Sequence, residues 1–496
     1  MSAKHRLFTG GRASAPLLLK PFACLVAILT ASIALSIPLS AAVTFTASEV
    51  ASGDSSTLGI VAGDFNNDGI LDLVTTNAFT LSYYQGLGGG QYAAPVNMSL
   101  PFYQTQVVAA DLNGDGKLDL ITVGGINAGM RVLLGNGDGT FTLDDHTGIN
   151  TGGYSPVFVF LADFNGDHIP DIAFSVCDYE DTCETQVFLG TGDGTFKQSA
   201  TLTYGGGAIV AGDFNGDGHQ DIAVLTNTQV VVYLGEGNGQ FQSPLILIPN
   251  GQPTYLTVGD FYDDRIQSLA VLNGVYESST QSFTYYVNTV QYVDGQLVGT
   301  TPQRVSKLST GGIAAGDLTG NFKDDLVVTG GGEAGFTGYM LGRGNGTFDG
   351  LTSAPAYADF ETSPFVRDLN LDSRHDIGAV WDISGENTSG GAFVLLNDSA
   401  KPNCDPPPAN NLGVNICAPT DGEIVDPTYT FRAAGNAFDG IAKRMELWID
   451  GQKVGQDLED QLKITTTVTK GSHTAAFVAV DSFDNYTTST INFAAR

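Results

Sequence analysis

Between residues 43 and 399, the chain repeats one order of apolar and polar positions. Each repeat begins with a short apolar run that ends in small residues, as at 60–63 and 107–110. An acidic segment follows, and then a second apolar run such as 118–123. A third run enters a Gly-rich turn that closes on an aromatic residue, as at 132–141. Short apolar runs bounded by Gly, Asn and Asp, with a fourth, less regular run in each repeat, predict four antiparallel strands per unit.

The acidic segments occur seven times and recur at intervals of roughly fifty residues. The clearest copies, at 64–72, 111–119 and 213–221, place oxygen-bearing side chains at positions 1, 3, 5 and 9 and Gly at position 6. Oxygens at alternate positions converge on one side of a tight turn, and Gly permits the positive φ that the turn needs. This is the pattern of a calcium-binding loop, in which the carbonyl of position 7 can add a ligand. The period indicates one supersecondary unit per copy, as in a solenoid or propeller.

The apolar positions around each loop predict how neighbouring units pack. Position 2 of every loop and the residue that closes each Gly-rich turn are Phe, Leu or Tyr, and we expect them to form the core between units. The last unit ends after its third strand, at 392–398, so a strand at 44–50 is predicted to complete it and to remove two exposed sheet edges. The expected core residues are Phe65, Leu112, Phe164, Phe214, Phe261, Leu318 and Leu369 in the loops, and Tyr92, Phe141, Phe196, Phe241 and Phe348 in the turns.

These loops and turns resemble the FG-GAP or VCBS repeat proteins, which include the integrin alpha-subunit propeller with its calcium loops. The resemblance covers about residues 43–399 and implies an all-β fold, a seven-bladed β-propeller with four strands per blade. Residues 413–496 alternate apolar and polar positions and contain an Asp450-Gly451 turn. They are predicted to form a small immunoglobulin-like β-sandwich, similar to bacterial immunoglobulin-like domains. Trp448 is assigned to its core, with a glycan-stacking surface as the alternative.

By match to the family's loop pattern, five loops would bind Ca²⁺ through three carboxylates, one amide oxygen and one backbone carbonyl each. Such hard oxygen ligands in a flexible loop favour calcium over magnesium. The alternative is a set of solvated surface turns without metal. The expected ligands are Asp64, Asn66, Asp68, Ile70 (carbonyl) and Asp72; Asp111, Asn113, Asp115, Lys117 (carbonyl) and Asp119; Asp163, Asn165, Asp167, Ile169 (carbonyl) and Asp171; Asp213, Asn215, Asp217, His219 (carbonyl) and Asp221; and Asp368, Asn370, Asp372, Arg374 (carbonyl) and Asp376.

Two loops depart from the pattern. The loop of blade five has Tyr262 at position 3 and Ser268 at position 9, so it is expected to be empty. Arg265 in that loop is expected to neutralise Asp260 and Asp264 in place of an ion. Blade six is expected to be a weak or empty site because it supplies only two carboxylates; its residues at positions 1, 3, 5 and 9 are Asp317, Thr319, Asn321 and Asp325.

The N-terminus has the features of a secretion signal. Residues 1–42 contain a basic region, an apolar stretch at 22–38 and small residues before a predicted cleavage site near Ala42. An uncleaved membrane anchor is the alternative. After cleavage, no segment of sufficient length would span a membrane. We therefore expect a secreted or cell-surface protein, with the periplasm as an alternative location.

The remaining cysteines form two local pairs. In an exported chain, Cys177–Cys183 and Cys404–Cys417 are expected to be disulfides, with free buried thiols as the alternative. The second pair would fasten the Pro-rich linker at 400–412 to the C-terminal domain at 413–496.

Composition limits the function. A net charge of −31 disfavours nucleic acid and anionic lipid as partners. The chain has neither an H-E-x-x-H metalloprotease motif nor a G-x-S-x-G nucleophile motif, so it is not expected to be an enzyme. The favoured hypothesis is a calcium-binding adhesion or recognition protein that binds an extracellular protein or glycan through a propeller face. The alternative is an extracellular hydrolase or lyase built on a calcium-loaded propeller.

Overall fold

The structure is a computed structural model. The predicted signal (1–42) and linker (400–412) lie outside the residues that it describes, so neither prediction is tested. The described residues are 43–52, 57–124, 129–144, 149, 155–177, 182–278, 282–305, 312–321, 323–330, 336–355, 362–370, 372, 374–381, 391–399, 413–436, 444–457, 461–480 and 486–496.

These residues form β-strands and no helix, which confirms the all-β fold class. The described part of the chain therefore contains no helix long and apolar enough to span a membrane.

Residues 45–353 contain one strand that joins the last sheet, followed by six small sheets. The strands are β1 (Phe45–Ser52); in the first sheet β2 (Thr57–Gly63), β3 (Asp72–Asn77), β4 (Thr80–Tyr84) and, after a two-stranded ladder of β5 (Gly86–Gly88) and β6 (Gln91–Tyr92), β7 (Val96–Ser99); in the second β8 (Gln104–Ala110), β9 (Asp119–Gly124), β10 (Met130–Gly135) and β11 (Phe141–Leu143); in the third β12 (Ser155–Ala162), β13 (Asp171–Cys177), β14 (Cys183–Gly190) and β15 (Phe196–Leu202); in the fourth β16 (Ile209–Gly212), β17 (Asp221–Leu225), β18 (Val230–Tyr233) and β19 (Leu245–Leu247); in the fifth β20 (Gln252–Gly259), β21 (Ser268–Glu277), β22 (Ser282–Val293), β23 (Gln296–Gly299) and β24 (Gln303–Val305); and in the sixth β25 (Ile313–Gly316), β26 (Asp325–Gly330), β27 (Phe336–Met340) and β28 (Thr352–Ser353).

The seventh sheet is completed from the other end of the chain. It contains β29 (Thr362–Arg367), β30 (Asp376–Trp381) and β31 (Gly391–Asn397), and β1 pairs antiparallel with β31 as its fourth strand. The register runs from Phe45 opposite Asn397 to Ser52 opposite Gly391, with one bulge. The prediction that the N-terminal strand completes the last unit is confirmed.

The seven sheets follow one another in a closed cycle. Their first strands contact each other in the order β2, β8, β12, β16, β20, β25 and β29, and β29 contacts β2. Apolar side chains from each pair of neighbouring sheets form a shared core. The core between the seventh and first sheets contains Val50, Leu73 and Val394, all buried. Apolar packing between sheets, rather than within them, thus holds the cycle together.

The predicted core positions lie at these junctions. All seven loop residues at position 2 are at most 2% exposed. Phe65, Phe164 and Phe261 each make an edge-to-face contact with the aromatic residue that closes a turn of the next sheet, Phe141, Phe241 and Phe348 respectively, at centroid distances of 5.5 to 5.7 Å. The assignment of these residues to the core between units is confirmed.

The C-terminal residues form two further sheets around one apolar core. The core contains Phe431, Leu447 and Phe477, whereas Trp448 is only partly buried and donates a hydrogen bond to Glu446 Oε2 (2.8 Å). One sheet has the order β32-β34-β37 and the other β33-β39-β38-β35-β36. The strands are β32 (Gly413–Ala418), β33 (Ile424–Val425), β34 (Thr428–Asn436), β35 (Arg444–Ile449), β36 (Gln452–Asp457), β37 (Gln461–Thr467), β38 (Gly471–Val480) and β39 (Tyr486–Ala495).

One predicted disulfide is present. Cys177 at the end of β13 is bonded to Cys183 at the start of β14, and the two residues are opposite each other in the strand register. Cys417 is also disulfide-bonded. Its expected partner Cys404 lies outside the described residues.

The closure by β1 can be tested with two substitutions in the same strand. Val50→Asp places an unpaired charge in the core between the seventh and first sheets and should lower the free energy of unfolding by roughly 3 kcal/mol. Ala47→Asp, at an exposed position of β1, should change it by less than about 0.5 kcal/mol. Urea unfolding measures both values. Equal stability of the two variants would contradict the proposed role of β1.

Candidate metal-binding loops

The candidate loops hold their first three oxygen-bearing side chains by hydrogen bonds to their own backbone. In the fourth loop (213–221), Asp213 accepts hydrogen bonds from the N–H groups of positions 4, 5 and 6 at 2.7, 3.1 and 2.9 Å. The Asn215 Oδ1 atom accepts from the N–H of position 5 at 2.9 Å. Asp217 Oδ1 accepts from the N–H of position 7, also at 2.9 Å. The structure thus brings positions 1, 3 and 5 of the predicted set together.

The same bonds recur in the other candidate loops. In each, the N–H of position 5 donates to the side chains of positions 1 and 3, and the N–H of position 7 donates to the side chain of position 5. The residues at positions 1, 3, 5 and 7 are Asp64, Asn66, Asp68 and Ile70; Asp111, Asn113, Asp115 and Lys117; Asp163, Asn165, Asp167 and Ile169; and Asp368, Asn370, Asp372 and Arg374.

The Asp at position 9 has a different place, inside the sheet. Asp221 Oδ2 accepts a hydrogen bond from the N–H of Phe214 at 2.9 Å, and its Oδ1 accepts from the N–H of Gly235 at 2.7 Å. Five further Asp residues at position 9 accept the same two bonds, one from the N–H of position 2 and one from the end of the third strand or the turn that follows it. All six of these Asp residues are 0% exposed. The five are Asp72, Asp119, Asp171, Asp325 and Asp376.

The sequence pattern indicates position 9 only as a ligand and does not reveal this structural role. Asp325 has the role too, although its loop is the one predicted to be a weak or empty site. The hydrogen-bond pattern of position 9 therefore does not by itself indicate a metal.

The partner of position 9 in the turn is usually a glycine, for a steric reason. A Cβ at Gly235 would lie 2.2 Å from the Gln220 carbonyl oxygen, and a Cβ at Gly135 would lie 2.1 Å from that of Leu118. Any larger residue would push the turn away from the buried carboxylate. The sequence signal was present in the repeated Leu-Gly at the end of the third strand, but its partner lies fourteen or more residues earlier.

Burial and neighbouring charges raise the pKa values of the carboxylates at position 9. Desolvation is the main cause for Asp221, whose pKa rises to about 7, and the charges of Asp213 and Asp217 add to the effect. The pKa of Asp119 rises to about 6 for the same reasons, and that of Asp376 to about 8. A cation close to these groups would act in the opposite direction, because an opposite charge favours the ionised form.

Positive side chains already contact two of the candidate loops. Lys117 Nζ lies 3.0 Å from Asp115 Oδ2 in the second loop, where both side chains are partly exposed. In the seventh loop, the Arg374 guanidinium pairs with Asp372 and also donates to the carbonyl of Ser399. A cation would have to compete with Arg374 for its ligand at position 5, so the seventh loop is the least favourable of the five.

The fifth loop differs from its predicted arrangement. Arg265 does not turn its guanidinium to Asp260 and Asp264 as expected; its Nε atom lies 3.0 Å from Asp457 Oδ1 in the C-terminal region. Asp260 accepts a hydrogen bond from the backbone N–H of Arg265 instead. Ser268 Oγ takes the place of the carboxylate at position 9 and donates to the Gly259 carbonyl at 3.0 Å.

The donor chemistry of the candidate loops fits calcium, because it consists of carboxylate, amide and carbonyl oxygens. Among the residues that the structure describes, no three His, Cys, Asp or Glu side chains are gathered into a group that could hold a metal ion. The carboxylate at position 9 instead accepts hydrogen bonds from backbone amides, as Asp221 does from Phe214 and Gly235. An ion in these loops would therefore use the oxygens of positions 1, 3, 5 and 7 together with a rotation of the side chains toward it.

Two substitutions in the fourth loop separate the roles of its carboxylates. Asp221→Ala leaves two buried N–H groups without an acceptor and should lower the free energy of unfolding by about 3 kcal/mol, with or without calcium. Asp217→Ala removes exposed hydrogen bonds in either condition, so it should destabilise the protein slightly in EGTA and by more when calcium is present. Urea unfolding in calcium and in EGTA measures both effects. A loss for Asp221→Ala that disappears in EGTA would show that position 9 acts only through a metal.

Comparisons with known proteins were made for the sequence and for the structure. A search of curated proteins found no match to this chain. A lectin from Agrocybe aegerita that recognises non-reducing terminal N-acetylglucosamine is 20% identical, with 60% of this chain and 80% of that chain covered and a TM-score of 0.44. A fungal alcohol oxidase of the AA5 family, in complex with copper, is 9% identical over 92% of this chain and 100% of that chain, with a TM-score of 0.47. A protein from Lactobacillus plantarum is 14% identical over 69% of this chain and 96% of that chain, with a TM-score of 0.43. TM-scores below 0.5 support no inference about this chain.

The sequence itself matches a family model. The FG-GAP-like repeat matches four overlapping or adjacent segments, 64–122, 111–174, 176–224 and 213–271. These segments cover less than half of the chain and include the first five loops. The chain therefore contains four FG-GAP-like repeats.

Proposed function

We propose that residues 43–399 form a seven-bladed β-propeller of the FG-GAP/VCBS type, and that the protein is a secreted, non-catalytic recognition protein. The closed cycle of seven sheets, in which β1 completes the last one, supports the propeller. Closure removes free sheet edges, as it does in propellers. The C-terminal sheets, packed on one core, support the proposal of an immunoglobulin-like sandwich.

Calcium is the cofactor in this proposal. The observation that carries it is the set of backbone hydrogen bonds that recurs in five loops and orients the oxygens of positions 1, 3 and 5 in the same way. Loops one, two, three, four and seven would hold one ion each, the seventh most weakly. The sixth would be weak or empty and the fifth empty.

The loops also connect neighbouring sheets, so ion binding would act on the whole ring. The carbonyl of Phe164 in the third loop accepts a hydrogen bond from Gly239 N–H in a turn of the fourth sheet, at 2.9 Å. Phe65 makes the same bond with Gly139, and Phe261 with Gly346. Ordering one loop would therefore order part of the next blade, and repeat arrays share stability through such interfaces.

A binding role agrees better with the described site than catalysis does. The buried carboxylates each accept backbone hydrogen bonds that support a loop. The acidic surface disfavours anionic partners, whereas extracellular proteins and neutral glycans remain compatible with it. The ligand would be a protein or a glycan recognised by one face of the ring.

Metal analysis tests the cofactor. We expect about five calcium ions per chain at saturation, and each site at a hundredfold excess over its Kd should add about 2.7 kcal/mol to the stability of the ring. EGTA should therefore lower the melting temperature of the ring markedly and leave the C-terminal transition in place. Asp264→Ala in the fifth loop is the control. The change in stability that it causes should be about the same in calcium and in EGTA. Fewer than two ions per chain would overturn the assignment.

A binding screen tests the recognition role. The purified protein is applied to arrays of glycans and extracellular matrix proteins, in calcium and in EGTA. We expect binding to a restricted set of ligands that is at least tenfold weaker in EGTA, since the loops order the ring. If the protein binds nothing on any array but cleaves an arrayed glycan, by hydrolysis or by a lyase reaction, the result would support the enzyme alternative instead.

A further inference from the structure

The fifth loop (260–268) keeps the backbone course of the calcium-type loops but changes its side chains. Asp260 accepts hydrogen bonds from the N–H groups of positions 5 and 6, at 3.3 and 2.9 Å. Position 6 is Arg265, with φ at 69°, where the second and fourth loops have Gly at 79° and 87°. A non-glycine residue in this region costs about 1 kcal/mol. The third loop also has a non-glycine residue at this position, His168 with φ at 66°. The role of the Arg265 side chain therefore follows from its contacts.

Two further side chains of the loop make contacts within the ring of seven sheets. The Tyr262 hydroxyl, at position 3, lies 2.9 Å from Thr289 Oγ1. The aromatic side chain of Tyr262 also packs against Gly346, in a turn of the sixth sheet. A Cβ added at Gly346 would lie only 2.5 Å from Tyr262 Cε1. Ser268 at position 9 bonds to its own sheet. These contacts hold the loop in shape without an ion.

The Arg265 side chain leaves the ring and contacts the C-terminal domain, which belongs to the same compact unit, Ala41–Arg496. Its Nε atom is 3.0 Å from Asp457 Oδ1, and the two side chains are 38% and 18% exposed. Asp457 ends β36, and its Oδ2 accepts the N–H of Lys463 in β37 at 2.6 Å. The anchor point is therefore the residue that connects one C-terminal sheet to the other.

The surface of β36 fits this guanidinium. A Cβ at Gly455 would lie 2.8 Å from Arg265 Nη1 and 3.1 Å from Ile464 Cδ1, so the absence of a side chain there lets the guanidinium approach. Burial raises the pKa of Asp457, and the charge of Arg265 acts against that shift. Shape and charge on β36 thus both match Arg265.

From these contacts we infer that the fifth loop has exchanged ion binding for docking of the C-terminal domain, with Arg265 as the anchor and Asp457 and Gly455 as its receptor. The docking would fix the orientation of that domain on the ring without calcium. This part of the inference stands whether or not the other loops bind calcium.

Three variants of the full-length protein test the docking in EGTA. Arg265→Gly removes the guanidinium and installs the residue that the first, second and fourth loops have at this position, so the ring should remain folded. Asp457→Asn keeps an acceptor for Lys463 but removes the charge. Each should increase the maximum dimension in small-angle X-ray scattering and accelerate amide exchange in β36 about tenfold. The double variant should add little to either single one, because both remove the same contact.

A double variant that swaps the two charged residues, and a matched control, complete the experiment. Arg265→Asp combined with Asp457→Arg should recover at least half of the lost exchange protection. Arg343→Gly removes an exposed ion pair with Asp349 (2.7 Å) in the turn between β27 and β28 and should change neither readout. Scattering and β36 exchange that stay at wild-type values in Arg265→Gly would overturn the docking.

The exchange of function has its own readout. Tyr262→Asn, Arg265→Gly and Ser268→Asp together restore the ligand pattern, and this variant should bind one calcium ion more than the wild type while its C-terminal domain is released. Release of the domain without an added ion would contradict the inference that the fifth loop has exchanged ion binding for docking. It would leave the docking itself in place. If the wild type binds no calcium at all, the proposed cofactor fails, and the scattering result in EGTA still decides the docking.

Discussion

The repeated unit depends on the hydrogen bonds of the buried carboxylate at position 9, which six of the seven loops have. This carboxylate lies at the start of the second strand, accepts an N–H from position 2 of the loop, and accepts another from the end of the third strand or its turn. Without it, two backbone donors in the sheet interior would have no acceptor, and a buried unpaired donor costs about 1–3 kcal/mol. One side chain thereby fixes the loop, the second strand and the turn relative to each other. The glycine in the turn allows that approach, since a Cβ there would collide with the carbonyl of position 8.

The other features of the ring follow from this fixed unit. With the loop held in place, the apolar residue at position 2 points into the junction with the next sheet, and its carbonyl accepts a hydrogen bond from the neighbouring turn. The oxygens of positions 1, 3 and 5 are then oriented by hydrogen bonds from the loop backbone. The loop is thus both a joint between sheets and a candidate ion site. The fifth loop shows that the two roles separate, since it keeps the joint, through Phe261 and Gly346, while its side chains differ at two ligand positions, 3 and 9.

Local sequence patterns predicted much of this arrangement. The alternation of apolar runs with acidic loops gave the strand order, position 2 gave the core between sheets, and the unpaired third strand at 391–397 pointed to β1. The Cys177–Cys183 bond followed from proximity in sequence. Each of these depends on neighbours along the chain or on a periodic repeat. The ion pair of Arg265 with Asp457 depends on contacts between segments far apart in sequence, and no periodic pattern encodes it. The contact of Arg374 with its neighbour Asp372 was missed for another reason, because sequence alone does not fix the conformation of a long side chain.

The central claim is that position 9 supports the loop without an ion, whereas positions 1, 3 and 5 respond to one. Amide hydrogen exchange of the fourth loop, measured in calcium and in EGTA, tests this most directly. The account predicts that the Gly235 and Phe214 amides stay protected in both conditions, while the amides of Asp217 and Gly218 gain protection in calcium. Loss of protection at Gly235 on chelation would contradict it, because the carboxylate of Asp221 would then depend on the ion to hold its place.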